Sequence, residues 1–278
     1  MSAPDSAPPL APAATTPTSV VGAEKAAHVP HRWRNLFTLT GMLVVDGTEG
    51  GLTTTLFPTI AKALGLDNGH LGLLAAAGKI ISVPFGPAWV WISSRTSRRT
   101  ALALSTALAG VFGIAAGFSN DFLALLIFNT LMAAALIGAQ PIANAVVSDL
   151  FDDKNRARAV GIFYGAAAGI GAVLSPLIAQ LSHFADGWRW GMWALGGVCI
   201  LAGAAILALF KDPGVGAAEK QLAGLDAEKR AEVKPTFRSV MSLFRVPSYL
   251  VMMISRLLSG HLLIGVFGIQ FLVTVRGF

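Results

Sequence analysis

Asp46, Glu49 and Lys79 are ionisable residues inside the first two long apolar stretches of this chain, where a charge is costly. Asp46 and Glu49 lie three residues apart in the first stretch, and Lys79 lies in the second. At 1.5 Å per helical residue, Asp46 and Lys79 are both expected near the middle of a bilayer. A charge there costs about 2.5–3.5 kcal/mol on insertion scales. The two carboxylates are therefore expected to face a watery cavity or a partner.

These three residues allow two interpretations. Burial beside a like charge favours the neutral form of a carboxyl group, so Asp46 or Glu49 could take up and release a proton, or hold a cationic group. Alternatively, an ion pair with Lys79 could neutralise the carboxylates and serve structure alone. Because ionisable residues inside membranes are usually functional, we favour the proton or cation site.

Other polar residues of the apolar stretches extend this candidate site. In the seventh stretch, Arg256 could bind an anionic group, pair with a carboxylate of the first stretch, or extend toward the membrane surface. His261 could relay protons or be an interior histidine with a satisfied partner. In the fourth stretch, Asn129, Gln140 and Asn144 could line a cavity or form hydrogen bonds between helices.

Seven apolar stretches carry these residues, and each is long enough to cross a hydrocarbon core of about 30 Å as a helix. They cover residues 35–60, 70–92, 100–118, 121–147, 158–182, 188–210 and 247–274. Lys and Arg gather before the first stretch and in the loops after the second, fourth and sixth. By the positive-inside rule, this distribution predicts a multi-pass, all-α protein of the cell membrane with its N-terminus in the cytoplasm.

Composition argues against several other classes of protein. Hydrophobic residues make up 54% of the chain and charged residues 13%. The net charge of +6 comes from the basic loops, so no nucleic-acid partner is expected. The five His residues share no metal-ligand spacing, and the single cysteine, Cys199, lies within the sixth stretch. We therefore expect no metal, no cofactor and no enzymatic activity.

The spacing of the stretches divides the chain into four segments. They are a disordered cytoplasmic tail (1–34), a six-helix transmembrane bundle (35–210), a charged cytoplasmic linker (211–246) and a seventh transmembrane helix (247–278). Within the linker, Phe237, Val240, Met241 and Phe244 recur at helical spacing. This pattern predicts a short amphipathic helix on the inner membrane surface, followed by a helix that begins at Pro247.

The loop after the second stretch resembles a motif of the major facilitator superfamily. Residues 90–99 are similar to that family's G-x-L-A-D-R-x-G-R-R loop. Ser94 replaces the Asp of the motif, whereas Arg95, Arg98 and Arg99 are retained. The resemblance implies that these four residues belong to a gate on the cytoplasmic side.

Further segments are similar to the same family in the same order. Residues 141–159 resemble the end of its fourth helix and the following loop, residues 165–176 its Gly-rich fifth helix, and residues 187–190 the entry into its sixth. Asn129 stands where the family often has an Arg tied to proton antiport. Asp46 and residues around Pro58 and 212–219 resemble the spinster-like branch, which is associated with lipid-like substrates.

The resemblance implies a transporter built from two six-helix halves, of which this chain holds the first half and helix seven. The expected function is secondary transport of a small organic or amphiphilic solute, coupled to a proton or another ion. Three interpretations of the missing C-terminal half remain open. The chain could be a piece of a twelve-helix transporter, a half-size protein that pairs with a partner chain, or a scaffold or regulatory protein that no longer transports.

Overall fold

Helices account for nearly all of the regular structure in this chain. The computed structural model describes residues 29–214, 217, 245–258, 266–269, 271–272 and 275, and no strand occurs among them. The helices are α1 (Arg32–Thr55), α2 (Phe57–Leu64), α3 (Asn68–Arg95), α4 (Arg98–Gly117), α5 (Phe122–Leu136), α6 (Ala139–Leu150), α7 (Asp153–Ala179), α8 (Gly187–Leu209) and α9 (Pro247–Leu258). A 3-10 helix, Gln180–His183, follows α7. The predicted all-α fold is confirmed.

Five helical segments are long and apolar enough to cross a membrane within the described residues. They are Asn68–Arg95, Arg98–Gly117, Phe122–Leu150, Asp153–His183 and Gly187–Leu209. The predicted first span, which corresponds to α1, is not among them. It carries Asp46 and Glu49 yet buries ten residues against its neighbours, and a helix that its neighbours shield from lipid can carry polar side chains.

Local sequence signals account for where several helices begin. The side chains of Asp67, Ser97 and Asp121 accept hydrogen bonds from backbone N–H groups in the first turns of α3, α4 and α5, at 3.1, 3.1 and 2.8 Å. These bonds satisfy donors that a helix N-terminus otherwise leaves unpaired. Pro247 begins α9, as the sequence predicts.

The predicted fourth span is interrupted, and a tryptophan from α3 fills the break. α5 ends at Leu136 and α6 begins at Ala139, with a turn between them. The Trp89 indole N–H donates to the carbonyl of Ala134 at 2.8 Å. A side chain at Gly138 would collide with the Trp89 ring, so glycine at this position lets the ring pack against the break.

Two apolar clusters stabilise opposite ends of the bundle. One surrounds Leu36 and Leu39 near the start of α1, and the other surrounds Leu52 and Leu56 near its end. Between them, α4 lies against α8, and a Cβ atom at Gly203 would lie only 2.8 Å from the Ala103 carbonyl oxygen. Such close approach is typical of helices packed in membranes. Asp46 and Glu49 lie between the two clusters in α1.

Some sequence predictions fall on residues outside the described part. Residues 1–28 of the predicted tail are one such set. Residues Phe237, Val240, Met241 and Phe244 of the predicted amphipathic helix are another. The bundle itself begins at Arg32, three residues before the predicted first span.

Candidate functional site

Two carboxylates lie in the interior of the bundle between its apolar ends. Asp46 is 8% exposed and Glu49 is 1% exposed. The Thr106 hydroxyl on α4 donates to Asp46 Oδ2 at 3.2 Å. Asp46 Oδ1 and both carboxylate oxygens of Glu49 are buried and have no hydrogen-bond partner among the described residues. Buried polar atoms are nearly always paired in proteins, so these three oxygens mark a site with unmet bonding capacity.

A glycine on α4 makes room for the Glu49 carboxylate. A Cβ atom at Gly113 would overlap Glu49 Oε1 and would lie 3.0 Å from Glu49 Cδ and 3.6 Å from Met132 Sδ. The Glu49 side chain therefore extends toward α4. Together with the bond from Thr106 to Asp46, this contact directs both carboxyl groups into the interface between α1 and α4.

One turn beyond Glu49, a polar pair joins α1 to α5. The Asn129 amide donates to the Thr53 hydroxyl at 2.6 Å, and both residues are buried. The sequence left open whether Asn129 lines a cavity or bonds between helices, and the structure shows that it does both.

Lys79 lines a cavity between α1, α3 and α5, which we call the Lys79 cavity. Its volume is about 300 Å³. It is lined by Gly50, Thr53, Thr54, Leu71, Leu74, Ala75, Gly78, Lys79, Ser82, Asn129, Ala133, Ile137 and Val266. Lys79 lies near the middle of α3.

The ion pair between Lys79 and the carboxylates, which the sequence left open as an alternative, is not formed among the described residues. Neither Asp46 nor Glu49 lines the Lys79 cavity, and Lys79 makes no ion pair within the described part of the chain. The physical reason is helix rotation. The carboxylates point from α1 toward α4, whereas Lys79 projects from α3 into the cavity that Thr53 and Asn129 also line.

The polar residues of α6 bond to a tyrosine that the sequence analysis did not single out. The Tyr164 hydroxyl on α7 donates to Asn144 Oδ1 at 2.7 Å, and the Gln140 amide approaches the same hydroxyl at 3.4 Å. These contacts support the interhelical alternative for Gln140 and Asn144. All three side chains are exposed in this chain.

Two predicted site residues lie wholly or partly beyond the described structure. Arg256 belongs to α9, but its side chain is not described, and His261 falls outside the described residues. Within the described ranges, no group of three His, Cys, Asp or Glu side chains could hold a metal ion.

A larger cavity of about 1060 Å³ lies near the C-terminal end of α1, beside α2 and the 3-10 helix. Lys62 and His183 are its ionisable lining residues, and both are exposed. Neither cavity is lined by Asp46 or Glu49. The smaller Lys79 cavity includes the buried Thr53–Asn129 pair in its lining and is therefore the better candidate for a site.

The whole bundle matches a known family model. Residues 38–278 match the model of the Major Facilitator Superfamily. This chain belongs to that superfamily. The match covers most of the chain and includes every predicted site residue, most of α1 and all of α2 to α9.

Individual relatives support the same assignment. The chain is 25% identical over 137 residues to the "Probable 4-methylmuconolactone transporter" of Cupriavidus pinatubonensis, which covers 49% of this chain and 32% of that protein. It is 22% identical over 200 residues to Protein spinster of Drosophila melanogaster, and this alignment covers 71% of this chain and 32% of that protein. The chain thus spans about a third of these relatives. The names are those of transport and spinster proteins, in agreement with the expectation that the chain is not an enzyme.

A solved structure shares the fold. A bacterial homologue of the human lysosomal transporter Spinster, in an inward-facing and unoccupied conformation, superimposes with a TM-score of 0.64 at 20% identity. The superposition covers 90% of this chain and 57% of that chain. At this level of identity the likeness supports the major facilitator fold.

In this major facilitator chain, the loop that resembles the gate motif is attached to the bundle by a charge pair. The Arg98 guanidinium donates to the Asp149 carboxylate of α6, and both side chains are largely buried. The Arg95 guanidinium lies 4.9 Å from the centre of the Trp91 ring, and the Ser94 hydroxyl donates to the Trp91 carbonyl. Arg99 Nε is buried and has no hydrogen-bond partner among the described residues. In this structure Ser94 makes a local backbone bond.

Two contacts of the site were missed by sequence reasoning. Thr106 and Gly113 lie on α4 and contact the carboxylates, yet Thr and Gly are common in membrane helices and carry no distinguishing signal there. Their spacing of seven residues, two helical turns, was the available clue, and it became meaningful once α4 was known to pack against α1.

Proposed function

We propose that this chain provides the N-terminal half of a proton-coupled secondary transporter for a small organic or amphiphilic solute. Asp46 and Glu49 bind the coupling proton in this proposal. The protein lies in the cell membrane with its N-terminus in the cytoplasm. The remaining helices come from further sequence or from a partner chain.

The observation that supports the coupling role is the pair of buried carboxyl groups with unpaired oxygens. Asp46 and Glu49 lie one helical turn apart, and no basic side chain of the described structure forms an ion pair with either. Two buried, unpaired carboxylates in one layer would repel each other and lose their hydration. Binding a proton removes a charge and supplies a hydrogen-bond donor for the neighbouring oxygen.

This pair also argues for transport rather than a scaffold. An ionisable group at the middle of the bilayer costs about 2.5–3.5 kcal/mol. A scaffold would be more stable with apolar residues of similar size at both positions. A proton-coupled transporter requires at least one group that can change its protonation state during the cycle.

The first test is infrared spectroscopy of the purified protein and its Asp46→Asn, Glu49→Gln and double variants. The C=O stretching band of a protonated carboxylic acid should be present at neutral pH, weaker in each single variant and absent in the double variant. Asp186→Asn, which removes an exposed carboxylate, is the matched control and should leave the band unchanged. A band that persists in the double variant would contradict the proton-binding role.

The second test measures coupling directly. The complete transporter is reconstituted in liposomes, a small-molecule cell extract is added, and the solutes accumulated under an imposed pH gradient are identified by mass spectrometry. The Asp46→Asn and Glu49→Gln variants should lose this accumulation at unchanged protein abundance. Equal accumulation by the parent, both single variants and the double variant would exclude coupling through these carboxyls.

A further inference from the structure

The Lys79 cavity presents a single kind of charge. Among its lining residues, Lys79 is the ionisable one, and the other polar members are Thr53, Thr54, Ser82 and Asn129. The Lys79 side chain is exposed to this space. The polar lining therefore consists of an ammonium group, three hydroxyls and an amide.

The negative charges of the same layer are turned away from the cavity. Asp46 accepts a hydrogen bond from Thr106, and Glu49 fills the space beside Gly113, so both carboxyls lie at the α1–α4 interface. The bond from Asn129 to Thr53 joins α1 to α5 at the cavity wall. Asp46 and Glu49 are absent from the lining of the Lys79 cavity, so the cation and the carboxyls face different parts of the bundle.

Lys79 also has unused bonding capacity. Within the described residues it forms no ion pair, although an ammonium group carries three donors. A lone ammonium in the middle of a membrane is unfavourable and is normally paired or bound to a ligand. The cavity thus has a positive group with room beside it.

We propose that the Lys79 cavity binds the anionic group of a small organic anion, which is the transported solute. The Lys79 ammonium forms a charge-assisted hydrogen bond with a carboxylate or a comparable oxyanion. The Thr54 hydroxyl also lines the cavity and can donate to the same group, whereas the Ser82 hydroxyl donates to the Gly78 carbonyl at 2.6 Å. The apolar wall formed by Leu71, Leu74 and Ala75 contacts the body of the solute. The proposal rests on the transport function above and narrows its substrate class from solutes of any charge to anions.

The cavity accommodates a small anion. A volume of about 300 Å³ is at the lower end of the range for small-molecule sites, roughly 300–1,000 Å³. A monoanion with a short apolar body, such as an aromatic or short-chain carboxylate, matches both the volume and the lining. An organic cation would meet the Lys79 ammonium with no carboxylate exposed beside it.

Binding of simple probes to the purified protein tests the proposal. Benzoate and hexanoate are the anionic probes, benzylammonium is the cationic probe and benzyl alcohol is the neutral probe, each measured by calorimetric titration at neutral pH. We expect both anions to bind the protein, Lys79→Gln to weaken their binding by about tenfold or more, and Lys79→Arg to retain most of it. Lys62→Gln removes the same charge from the other cavity and is the matched control, with unchanged anion binding.

Three results would overturn the anion site. They are stronger binding of benzylammonium than of benzoate, equal benzoate binding by the parent and the Lys79→Gln variant, and binding of neither anion by the parent protein. Equal melting temperatures of the parent and the Lys79→Gln variant without ligand would show that weaker anion binding does not reflect misfolding. Anion binding retained by Lys79→Arg would show that the positive charge is what the site requires.

The experiment separates this proposal from the coupling role. Lys79-dependent anion binding together with an unchanged infrared band in the Asp46→Asn, Glu49→Gln double variant would support the anion site and refute proton coupling. Loss of the infrared band in that double variant, together with equal anion binding by the parent and the Lys79→Gln variant, would refute the anion site and support the coupling role.

Discussion

Gly113 and Glu49 should be energetically coupled, because the carboxylate occupies the space that a side chain at position 113 would need. In the native chain, a Cβ atom at 113 would overlap Glu49 Oε1 and would lie 3.0 Å from Cδ, whereas ordinary contacts begin at 3.4 Å. Gly113→Ala must therefore displace the carboxylate from the α1–α4 interface. Removing the carboxylate with Glu49→Ala should make the same substitution harmless.

The expected magnitudes follow from two opposing effects. Overpacking a buried site costs about 1–3 kcal/mol, and we take about 2 kcal/mol here because Oε1 is the mobile end of a long side chain. Replacing Gly by Ala within a helix stabilises by about 1 kcal/mol. Gly113→Ala should thus destabilise the parent by about 1 kcal/mol and stabilise the Glu49→Ala variant by about 1 kcal/mol, an interaction of about 2 kcal/mol.

The free energy of unfolding of all four proteins can be measured by denaturant titration in mixed micelles. Gly197→Ala is the matched control. It replaces a glycine of α8 whose added Cβ atom meets nothing within 4 Å, and it should stabilise both backgrounds equally. The reasoning is refuted if Gly113→Ala changes the stability of the two backgrounds by the same amount, within about 0.5 kcal/mol.

Two further predictions concern the ends of α4 and α3. Arg98→Gln should destabilise the bundle by about 2 kcal/mol, since it leaves the largely buried Asp149 carboxylate without this partner. In a thermal unfolding assay, the double variant Arg98→Asp, Asp149→Arg should recover part of the lost stability. No recovery would argue against the charge pair. The His70 side chain, followed by its backbone N–H, holds the pKa of Asp67 below its ordinary value of 3.8, so the cap stabilises α3 above that pH and is lost as the pH falls through the lowered pKa. Backbone hydrogen exchange of residues 68–71 in the parent, corrected for intrinsic rates, should therefore accelerate below pH 3.8. If Asp67→Asn leaves this dependence of the exchange rate on pH unchanged, the capping role is contradicted.

Much of the fold could be predicted from local sequence. Apolar stretches marked the α3, α4, α7 and α8 spans, and Pro247 marked the start of α9. The interruption near Gly138 was not predicted, because it depends on Trp89, a residue 45 positions from the Ala134 carbonyl that it bonds. Contacts between residues so far apart in the chain leave no local periodic signal.

For the candidate site too, some features follow from the sequence and others only from the tertiary structure. Residue type and helical rise alone predict a mid-depth position for Asp46, Glu49 and Lys79, because each helical residue advances 1.5 Å whatever the helix packs against. The direction in which each side chain points was decided by tertiary structure. Thr106 and Gly113 on α4 draw both carboxyls inward, while α3 turns Lys79 toward the cavity. Rotation about a helix axis depends on which neighbour offers a donor or an empty space, and that neighbour lies some sixty residues away in the chain.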